Sequence, residues 1–378
     1  MNLNKFALAL TVAFATPAFA DITIGMTVSA TGPAAALGAP QSKTAALFPT
    51  TVAGEKINWI VLDDATDPSA ASKNAAKLVN ENKADVIIGS STVSNTAAVV
   101  EVTVESKTPL VALAPIDLPP AKDKWVFRMP QHNGLMAKAL FDHMKSSNVK
   151  SLGFIGFADP YGESWLKVVT PMAEAAGIKL VAVERYNRTD TSVTAQALKL
   201  LSAKPDAILV VGSGSPAALP HTTLTERGFK GQIYQTHGAP SKEFLKVGGK
   251  GVENGIFVVG PLLEWDQLPD SHPVKKVAGD YAKKYEDKYG AGSVASFGGY
   301  AWDAWKVIER AVPVALKKGK PGTEQFRTAL RDAIEMEKEV AGTHGVYNMS
   351  PADHFGHDAR ARVLLKVEGG AFKLISTN

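Results

Sequence analysis

Short apolar runs alternate with amphipathic segments of helical period along the first third of the chain. The pattern predicts four strands and two helices: strands at Ile22–Val28, Lys56–Asp64, Ala84–Ser90 and Pro109–Ala114, and helices at Pro68–Asn82 and Ser94–Lys107. The run Asp85–Gly89 is apolar after its first residue, which is typical of parallel strands covered on both faces. This part of the chain is therefore predicted to form a doubly wound α/β unit.

The same alternation starts again near residue 133 and predicts a second α/β unit of similar size. Its predicted strands are Ser151–Phe157, Leu180–Tyr186, Ala207–Ser213 and Gln232–Thr236, and its predicted helices are Asn133–Ser147, Tyr161–Ala176, 192–203 and 216–227. The helical region 273–336 has no strands of its own, so we expect it to cover the first sheet. The strand-like tail at 363–375 is expected to join the second sheet.

This organisation predicts a fold of two α/β lobes joined by a hinge of several chain segments. The predicted boundaries are 21–134 plus 262–342 for lobe 1 and 135–261 plus 343–378 for lobe 2. The backbone then crosses between the lobes three times, near 130–136, 258–264 and 338–346. Several crossings let two lobes close on a ligand without unfolding.

The N-terminus has the pattern of a cleaved export signal. Lys5 precedes the apolar run Phe6–Phe14, and Ala18-Phe19-Ala20 is a small-x-small cleavage pattern. We predict that residues 1–20 are removed, that the mature chain starts at Asp21, and that the protein is periplasmic. The alternative is a membrane anchor, but the apolar run is shorter than the roughly 18 residues a spanning helix needs.

Composition excludes several classes of protein. The chain of 378 residues has no cysteine, which excludes a disulfide framework and a thiol nucleophile. Its 41 basic and 37 acidic residues are scattered, whereas a nucleic-acid surface needs a clustered basic stripe. His344, His354 and His357 match no recognised metal-ligand spacing. We expect no cofactor, no metal, no nucleic-acid partner and a monomer.

The loops at the predicted carboxyl ends of the strands share one chemistry. They are rich in hydroxyls, in small residues and in amides at helix starts, and they lie at 29–33, 89–96, 114–117, 158–163, 212–216 and 236–238. Open α/β sheets bind ligands at this edge, and hydroxyls and helix N-termini favour a carboxylate. Each loop alone is better explained by helix capping and turns, but Ser90, Ser91, Thr92 and Ser94 together exceed what one cap needs.

An ordered set of motifs carries a family resemblance over nearly the whole mature chain. The motifs are Ser29-Ala30-Thr31-Gly32-Pro33, the segment Leu62–Pro68, Val86-Ile87-Ile88-Gly89-Ser90, Tyr161-Gly162-Glu163 and Arg227-Gly228-Phe229. The chain resembles the type I periplasmic solute-binding proteins of the branched-chain amino acid (Liv/HAAT) ABC transporters. The resemblance implies two lobes, a ligand between them, no catalysis, and delivery to a membrane permease driven by ATPase subunits.

The resemblance also implies a set of ligand-binding residues. Carried over position by position, these are Ser91, Thr92, Ser94, Ala114, Pro115, Tyr161, Gly214 and His237. Two positions depart from the family pattern. His237 stands where amino-acid binders have an acidic partner for the ligand ammonium, and Gly214 stands where they have a large aromatic wall residue.

These departures predict a different ligand. A buried ammonium needs an anion, which histidine does not supply, and glycine enlarges the pocket. We therefore expect a carboxylate without an α-ammonium, favouring aromatic acids or aryl keto acids, which one branch of the family binds. Branched-chain amino acids are the alternative ligand. His237 as a purely structural histidine stays equally open.

Two alternatives from other functional classes remain at this stage. A periplasmic sensor that reports to a chemoreceptor would share the fold, and a neighbouring permease gene would argue against it. A hydrolase on an α/β scaffold would need a nucleophile in contact with a base, and no such pair follows from the sequence.

Overall fold

Two α/β lobes form the molecule in the computed structural model, which describes residues 21–377; the predicted signal segment lies outside them. The first sheet contains β1 (Ile22–Val28), β2 (Thr51–Val52), β3 (Glu55–Asp63), β4 (Val86–Gly89), β5 (Leu110–Ala112) and β6 (Val126–Arg128) in the order β2-β3-β1-β4-β5-β6. All of its neighbouring strands are parallel except β2 and β3. Every residue of β1 and β4 is buried, as central strands covered on both faces must be.

The second sheet is mixed. It contains β7 (Ser151–Phe157), β8 (Lys179–Tyr186), β9 (Ala207–Val211), β10 (Gln232–Gln235), β11 (Ile256–Val259), β14 (Val363–Glu368) and β15 (Ala371–Ser376), and a separate short pair is β12 (Val340–Ala341) with β13 (Val346–Tyr347). The tail strand β14 pairs antiparallel with β11, and β15 pairs antiparallel with β14. The prediction that the tail joins the second sheet is therefore confirmed.

Helices cover both sheets. They are α1 (Ala35–Ala45), α2 (Pro68–Asn80), α3 (Val93–Glu105), α4 (Pro120–Asp123), α5 (Asn133–Ser146), α6 (Pro160–Ala176), α7 (Thr194–Ser202), α8 (Ala218–Glu226), α9 (Lys242–Gly248), α10 (Lys275–Tyr289), α11 (Ser296–Leu316) and α12 (Glu324–Glu335), with 3₁₀ turns at Ser215–Ala217, Gly249–Val252, Pro261–Gln267 and Ala359–Ala361. Within residues 21–377, none of these helices has the length and apolar character needed to cross a membrane.

The helices late in the chain return to the first lobe. Trp305 and Ile308 of α11 and Leu330 of α12 share one apolar core with Ile24 and Val86 of the first sheet. Burying an apolar helical stripe against a sheet is the main source of stability for such an element. The prediction that this region covers the first sheet is confirmed.

Hydrogen bonds connect two of the chain segments that run between the lobes. Gln131 follows β6, and its Nε2 donates to the carbonyls of His344 at 3.1 Å and Ala361 at 2.7 Å. Tyr347 and Met349 pack in the core of the first lobe, beyond the boundary predicted at 342. We propose that the third crossing lies after Met349; the boundaries near 134 and 262 stay predictions.

Candidate functional site

A narrow cleft lies between the carboxyl edges of the two sheets. Its lining residues come from both lobes: Leu37, Ser91, Thr92, Val93, Leu113, Ala114, Pro115, Pro130, Phe297 and Tyr300 on one side, and Tyr161, Arg188, Ser213, His237 and Gly238 on the other. The cavity volume is about 30 Å³, which is enough for water but not for an organic acid. A ligand would therefore enter only when the lobes separate.

The serine-rich loop before α3 forms one wall of the cleft. The Oγ of Ser91 donates to Gln41 Oε1 at 2.6 Å and accepts from the Ser29 amide at 2.9 Å. Thr92 is the N-cap of α3, where its Oγ1 accepts from the Asn95 amide at 3.2 Å. Capping thus explains part of the hydroxyl content of this loop, and it aims the N-terminus of α3, with its free amides, at the cleft.

Ser94 lies outside this cavity. It is half-buried and lines an adjoining groove of about 240 Å³ that also contains Thr92 and Arg188. The reason is helical geometry, because each residue of α3 is rotated by roughly 100° from the one before it. Ser94 therefore faces the outer groove while Val93 faces the cavity.

A buried carboxylate holds the serine-rich loop in place through hydrogen bonds. Asp64 is fully buried, and it accepts hydrogen bonds from Ser90 Oγ at 2.6 Å, from Ser29 Oγ at 2.7 Å and from Asn95 Nδ2 at 2.7 Å. Such charge-assisted bonds hold donors firmly. Sequence reasoning missed this role, although Asp64 lies inside a motif that the family resemblance used.

On the other wall, Tyr161 begins α6 and is buried. Its hydroxyl lies 2.8 Å from Thr236 Oγ1, which in turn donates to the Gly212 carbonyl at 3.2 Å. Because Thr236 uses its only proton on Gly212, Tyr161 donates to Thr236. Burial raises the pKa of Tyr161 to about 12, so the phenol is neutral at ordinary pH.

His237 follows β10 and is 4% exposed. Its ring lies between those of Tyr161 and Trp165, with centroids 6.3 Å and 5.8 Å away. Within the described residues, neither ring nitrogen has a hydrogen-bond partner. Burial lowers the pKa of His237 to about 3, so the ring is neutral and offers one donor and one acceptor to the cleft. Buried polar atoms normally have partners, and a ligand would supply them here.

Arg188 is a lining residue that sequence reasoning missed. It follows the edge strand β8, at a carboxyl end that was not included among the candidate loops. Its Nε donates to Asp159 at 2.9 Å and its Nη1 donates to Ser213 Oγ at 2.6 Å. The signal that would have found it is an arginine two residues after a strand that ends at the ligand edge.

The predicted site residues are mostly brought together. Those that line the cavity are Ser91, Thr92, Ala114, Pro115, Tyr161 and His237. Gly214 stands next to lining residue Ser213, and a Cβ there would lie 3.1 Å from Leu37 of the opposite lobe. Gly214 therefore permits close approach of the lobes, and this is a different role from enlarging the pocket.

The charge among the side chains that line the cleft is positive. Arg188 is charged, and no acidic side chain is among the lining residues in the described part of the chain. Tyr300 also lines the cavity. Over residues 21–377, no three histidine or acidic side chains are grouped to hold a metal ion.

A larger groove of about 910 Å³ lies outside the cleft, beside the first crossing. Its charged side chains bind each other: Arg128 pairs with Asp123, and His354 Nε2 lies 3.1 Å from Glu335. These pairs satisfy Arg128 and His354 without a ligand, whereas His357, which also lines this groove, has no partner for either ring nitrogen within the described residues. The cleft is the stronger candidate because it lies at the carboxyl edges of the parallel strands, where open α/β sheets bind ligands.

Comparison with known proteins gives a consistent result. The sequence model of a family described as "Periplasmic binding protein" matches residues 21–367. The solved structure of an extracellular ligand-binding receptor from Rhodopseudomonas palustris HaA2 has a TM-score of 0.93 at 46% identity, covering 94% of this chain and 100% of that one.

Two further relatives carry more specific names. The Leu/Ile/Val-binding protein homolog 1 of Brucella suis biovar 1 (strain 1330) is 26% identical over 353 residues, which cover 88% of this chain and 91% of the relative. The branched-chain amino acid transporter substrate binding protein LivJ from Streptococcus pneumoniae, solved with isoleucine, has a TM-score of 0.80 at 20% identity, covering 94% of this chain and 100% of that one. At that identity the likeness shows the fold alone.

Proposed function

This chain belongs to the periplasmic binding protein family, and from that premise we propose that it is the solute-binding component of an ABC-type uptake transporter. It would capture a small solute in the periplasm and present it to a permease with ATPase subunits. The two-lobed fold with a closed cleft supports this proposal, because closure around a ligand gives the permease a shape that it can recognise. Binding without catalysis follows from the same premise.

We further propose that the solute is a carboxylate without an α-ammonium, such as an aromatic acid or aryl keto acid. The observation that carries this proposal is His237, which is buried, neutral and without a partner at the position expected for an acidic residue. A ligand ammonium would find no anion there, and its desolvation would cost several kcal/mol. A carbonyl or hydroxyl oxygen on the ligand would instead accept from the imidazole.

Branched-chain amino acids are the second candidate ligands. The observation that favours them is the name of the Brucella relative, a Leu/Ile/Val-binding protein homolog, which is similar over 88% of this chain. This candidate requires an acidic group to reach the ammonium on closure. Asp159 is an acidic side chain in the adjoining groove, but it already pairs with Arg188.

A thermal-shift screen of the chain from Asp21 onward tests both candidates. The panel contains benzoate, 3-phenylpropanoate, phenylpyruvate, leucine, isoleucine and valine. A ligand at a hundred times its Kd stabilises the folded state by about 2.7 kcal/mol, which raises the melting temperature measurably. Stabilisation by the aromatic acids alone supports the proposal, and stabilisation by leucine or valine alone replaces it with amino-acid binding.

Two variants identify the group responsible. His237→Gln keeps a neutral polar side chain but changes its shape and donor position, so it should weaken the aromatic acid by about tenfold. His272→Gln, outside the cleft, is the matched control and should leave binding unchanged. Recovery of the bound acid chemically intact by mass spectrometry would agree with capture, whereas turnover would indicate an enzyme.

A further inference from the structure

Arg188 lies where two adjoining cavities meet. Its side chain lines the inner cavity and also the adjoining groove of about 240 Å³. Thr92, the N-cap of α3, is the one other residue in the described part of the chain that lines both. Arg188 and the N-terminus of α3 therefore face each other across the cleft, one from each lobe.

The guanidinium is held in place from three sides. Asp159 accepts from Nε, Ser213 accepts from Nη1, and the ring of Phe157 lies under the guanidinium carbon with its centroid 4.1 Å away. Among the described residues, no hydrogen bond uses the third nitrogen, Nη2. An arginine fixed in this way is preorganised, so little side-chain entropy is lost when it binds an anion.

Asp159 does not fully neutralise this arginine. Its other oxygen, Oδ1, accepts from the amides of Tyr161 at 2.9 Å and Gly162 at 3.1 Å, so the carboxylate also caps α6. One negative charge is thus shared between a helix N-terminus and a guanidinium. A second helix N-terminus, that of α3, adds positive potential from the opposite lobe.

On the function proposed above, we infer that Arg188 is a specificity-determining residue for the solute carboxylate. The carboxylate lies between the α3 N-terminus and the guanidinium, so it is bound from both lobes only when the cleft is closed. A zwitterionic amino acid would place its ammonium close to the same guanidinium without a free carboxylate to offset it. Arg188 therefore favours anionic solutes over amino acids and couples their charge to closure.

A purely structural role for Arg188 is the alternative, and a charge-balanced set of variants separates the two. Arg188→Gln removes the cation but leaves Asp159 unpaired. Asp159→Asn with Arg188→Gln removes both charges and keeps an amide that can still cap α6. Asp159→Asn alone leaves the cation in place without its partner. Arg185→Gln is the control, since Arg185 lies on β8 and pairs with Glu163 on the surface.

Calorimetry with benzoate, 3-phenylpropanoate and phenylpyruvate gives the readout, with thermal unfolding to verify that each variant folds. We expect Arg188→Gln and the double variant both to raise the Kd of the acids by about 30-fold or more. Asp159→Asn should keep more of the acid affinity than Arg188→Gln does, because the cation stays in the cleft with Ser213 and Phe157 still holding it. Arg185→Gln should bind as the wild type does.

Other results of the same measurements would overturn the inference. Wild-type affinity in the double variant would show that Arg188 only balances Asp159, and it would overturn this inference while the proposed function stands. A loss of acid affinity in Asp159→Asn as large as that in Arg188→Gln would also overturn it. If the wild type binds none of the three acids, or binds leucine in their place, then the proposed carboxylate specificity fails and the inference fails with it.

Discussion

The hydroxyl of Tyr300 donates a hydrogen bond of 2.9 Å to Oε1 of Gln131. Tyr300 lines the cleft, and Gln131 lies in the segment 130–136, where the first crossing between the lobes is predicted. The amide nitrogen of Gln131 donates to the carbonyls of His344 and Ala361. A single buried side chain thus connects a cleft residue to two segments late in the chain.

Replacing Tyr300 with phenylalanine tests this connection. The change leaves the buried Gln131 Oε1 without its donor, which should lower the free energy of unfolding by about 1–3 kcal/mol. Urea denaturation measures the loss. Tyr289→Phe is the control, because the Tyr289 hydroxyl donates to the Lys43 carbonyl at a partly exposed position where water replaces it. Equal losses in the two variants would contradict a special role for the buried bond.

We expect the carboxylate of Asp64 to contribute far more to the free energy of unfolding than the carboxylate of Asp63. Asp64→Asn turns an acceptor for Ser29, Ser90 and Asn95 into a group that is half donor, so we expect a loss of about 3 kcal/mol or more. Asp63→Asn changes an exposed carboxylate that accepts hydrogen bonds from Thr31 and Ala65, and because water competes for these bonds it should cost only about 1 kcal/mol. Chemical denaturation of both variants decides the point, and a small loss for Asp64→Asn would remove the carboxylate from its proposed organising role.

A methyl group at Gly214 should hinder closure of the cleft. Gly214 has φ 62° and ψ −158°, a conformation that costs other residues about 1–3 kcal/mol. The added Cβ would also meet Leu37 and Ala36 of the opposite lobe at 3.1 Å and 3.2 Å. Gly214→Ala should therefore lower both stability and ligand affinity.

The control for Gly214 is a glycine with a similar backbone conformation but free space. Gly249 has φ 48° and ψ −134°, and a Cβ there meets nothing within 4 Å. Gly249→Ala should be destabilised by about 1–3 kcal/mol yet bind ligand normally. Calorimetry with the acid found in the screen measures both affinities, and unchanged affinity in Gly214→Ala would show that the two lobes do not press together at this position.

Acid should destabilise the protein partly through His237. Burial lowers the pKa of its folded form to about 3, whereas the unfolded value is about 6.5. Between these values the unfolded chain holds the proton and the folded chain does not. The free energy of unfolding therefore falls as the pH decreases below about 6.5, by up to about 1.4 kcal/mol per pH unit.

The difference between variants isolates this contribution. Asp303 acts in the opposite direction, because burial raises its pKa to about 6. We therefore compare wild type with His237→Gln by urea unfolding from pH 7 to pH 4.5. The wild type should lose more stability than the variant as the pH falls. Burial also lowers the pKa of the half-buried His272, so the curve of His272→Gln should lie between the other two. Parallel curves for wild type and His237→Gln would show that His237 is not neutral in the folded state.

Much of the fold could be predicted from the pattern of apolar residues. Strand β7 was predicted and found at Ser151–Phe157, and the tail strands joined the sheet that was expected. Several elements were missed because their local signal is weak. Among them, α1 is rich in alanine and contains Pro40, and β6 and β11 have three and four residues. Such segments become regular through packing against neighbours, which a local pattern does not contain.

The sequence by itself determined that polar loops follow the strands, and therefore that Ser91 and Ala114 lie at the carboxyl edge of one sheet and Tyr161 and His237 at that of the other. That much follows from parallel strands, whose carboxyl ends point the same way. Tertiary structure alone decided which polar atoms are already bonded and which are free. In the folded protein the hydroxyl of Ser91 is already hydrogen-bonded, the ring nitrogens of His237 have no partner among the described residues, and Arg188 lies opposite the α3 N-terminus. These relations depend on residues distant in sequence that only the packing of two lobes brings within hydrogen-bond distance.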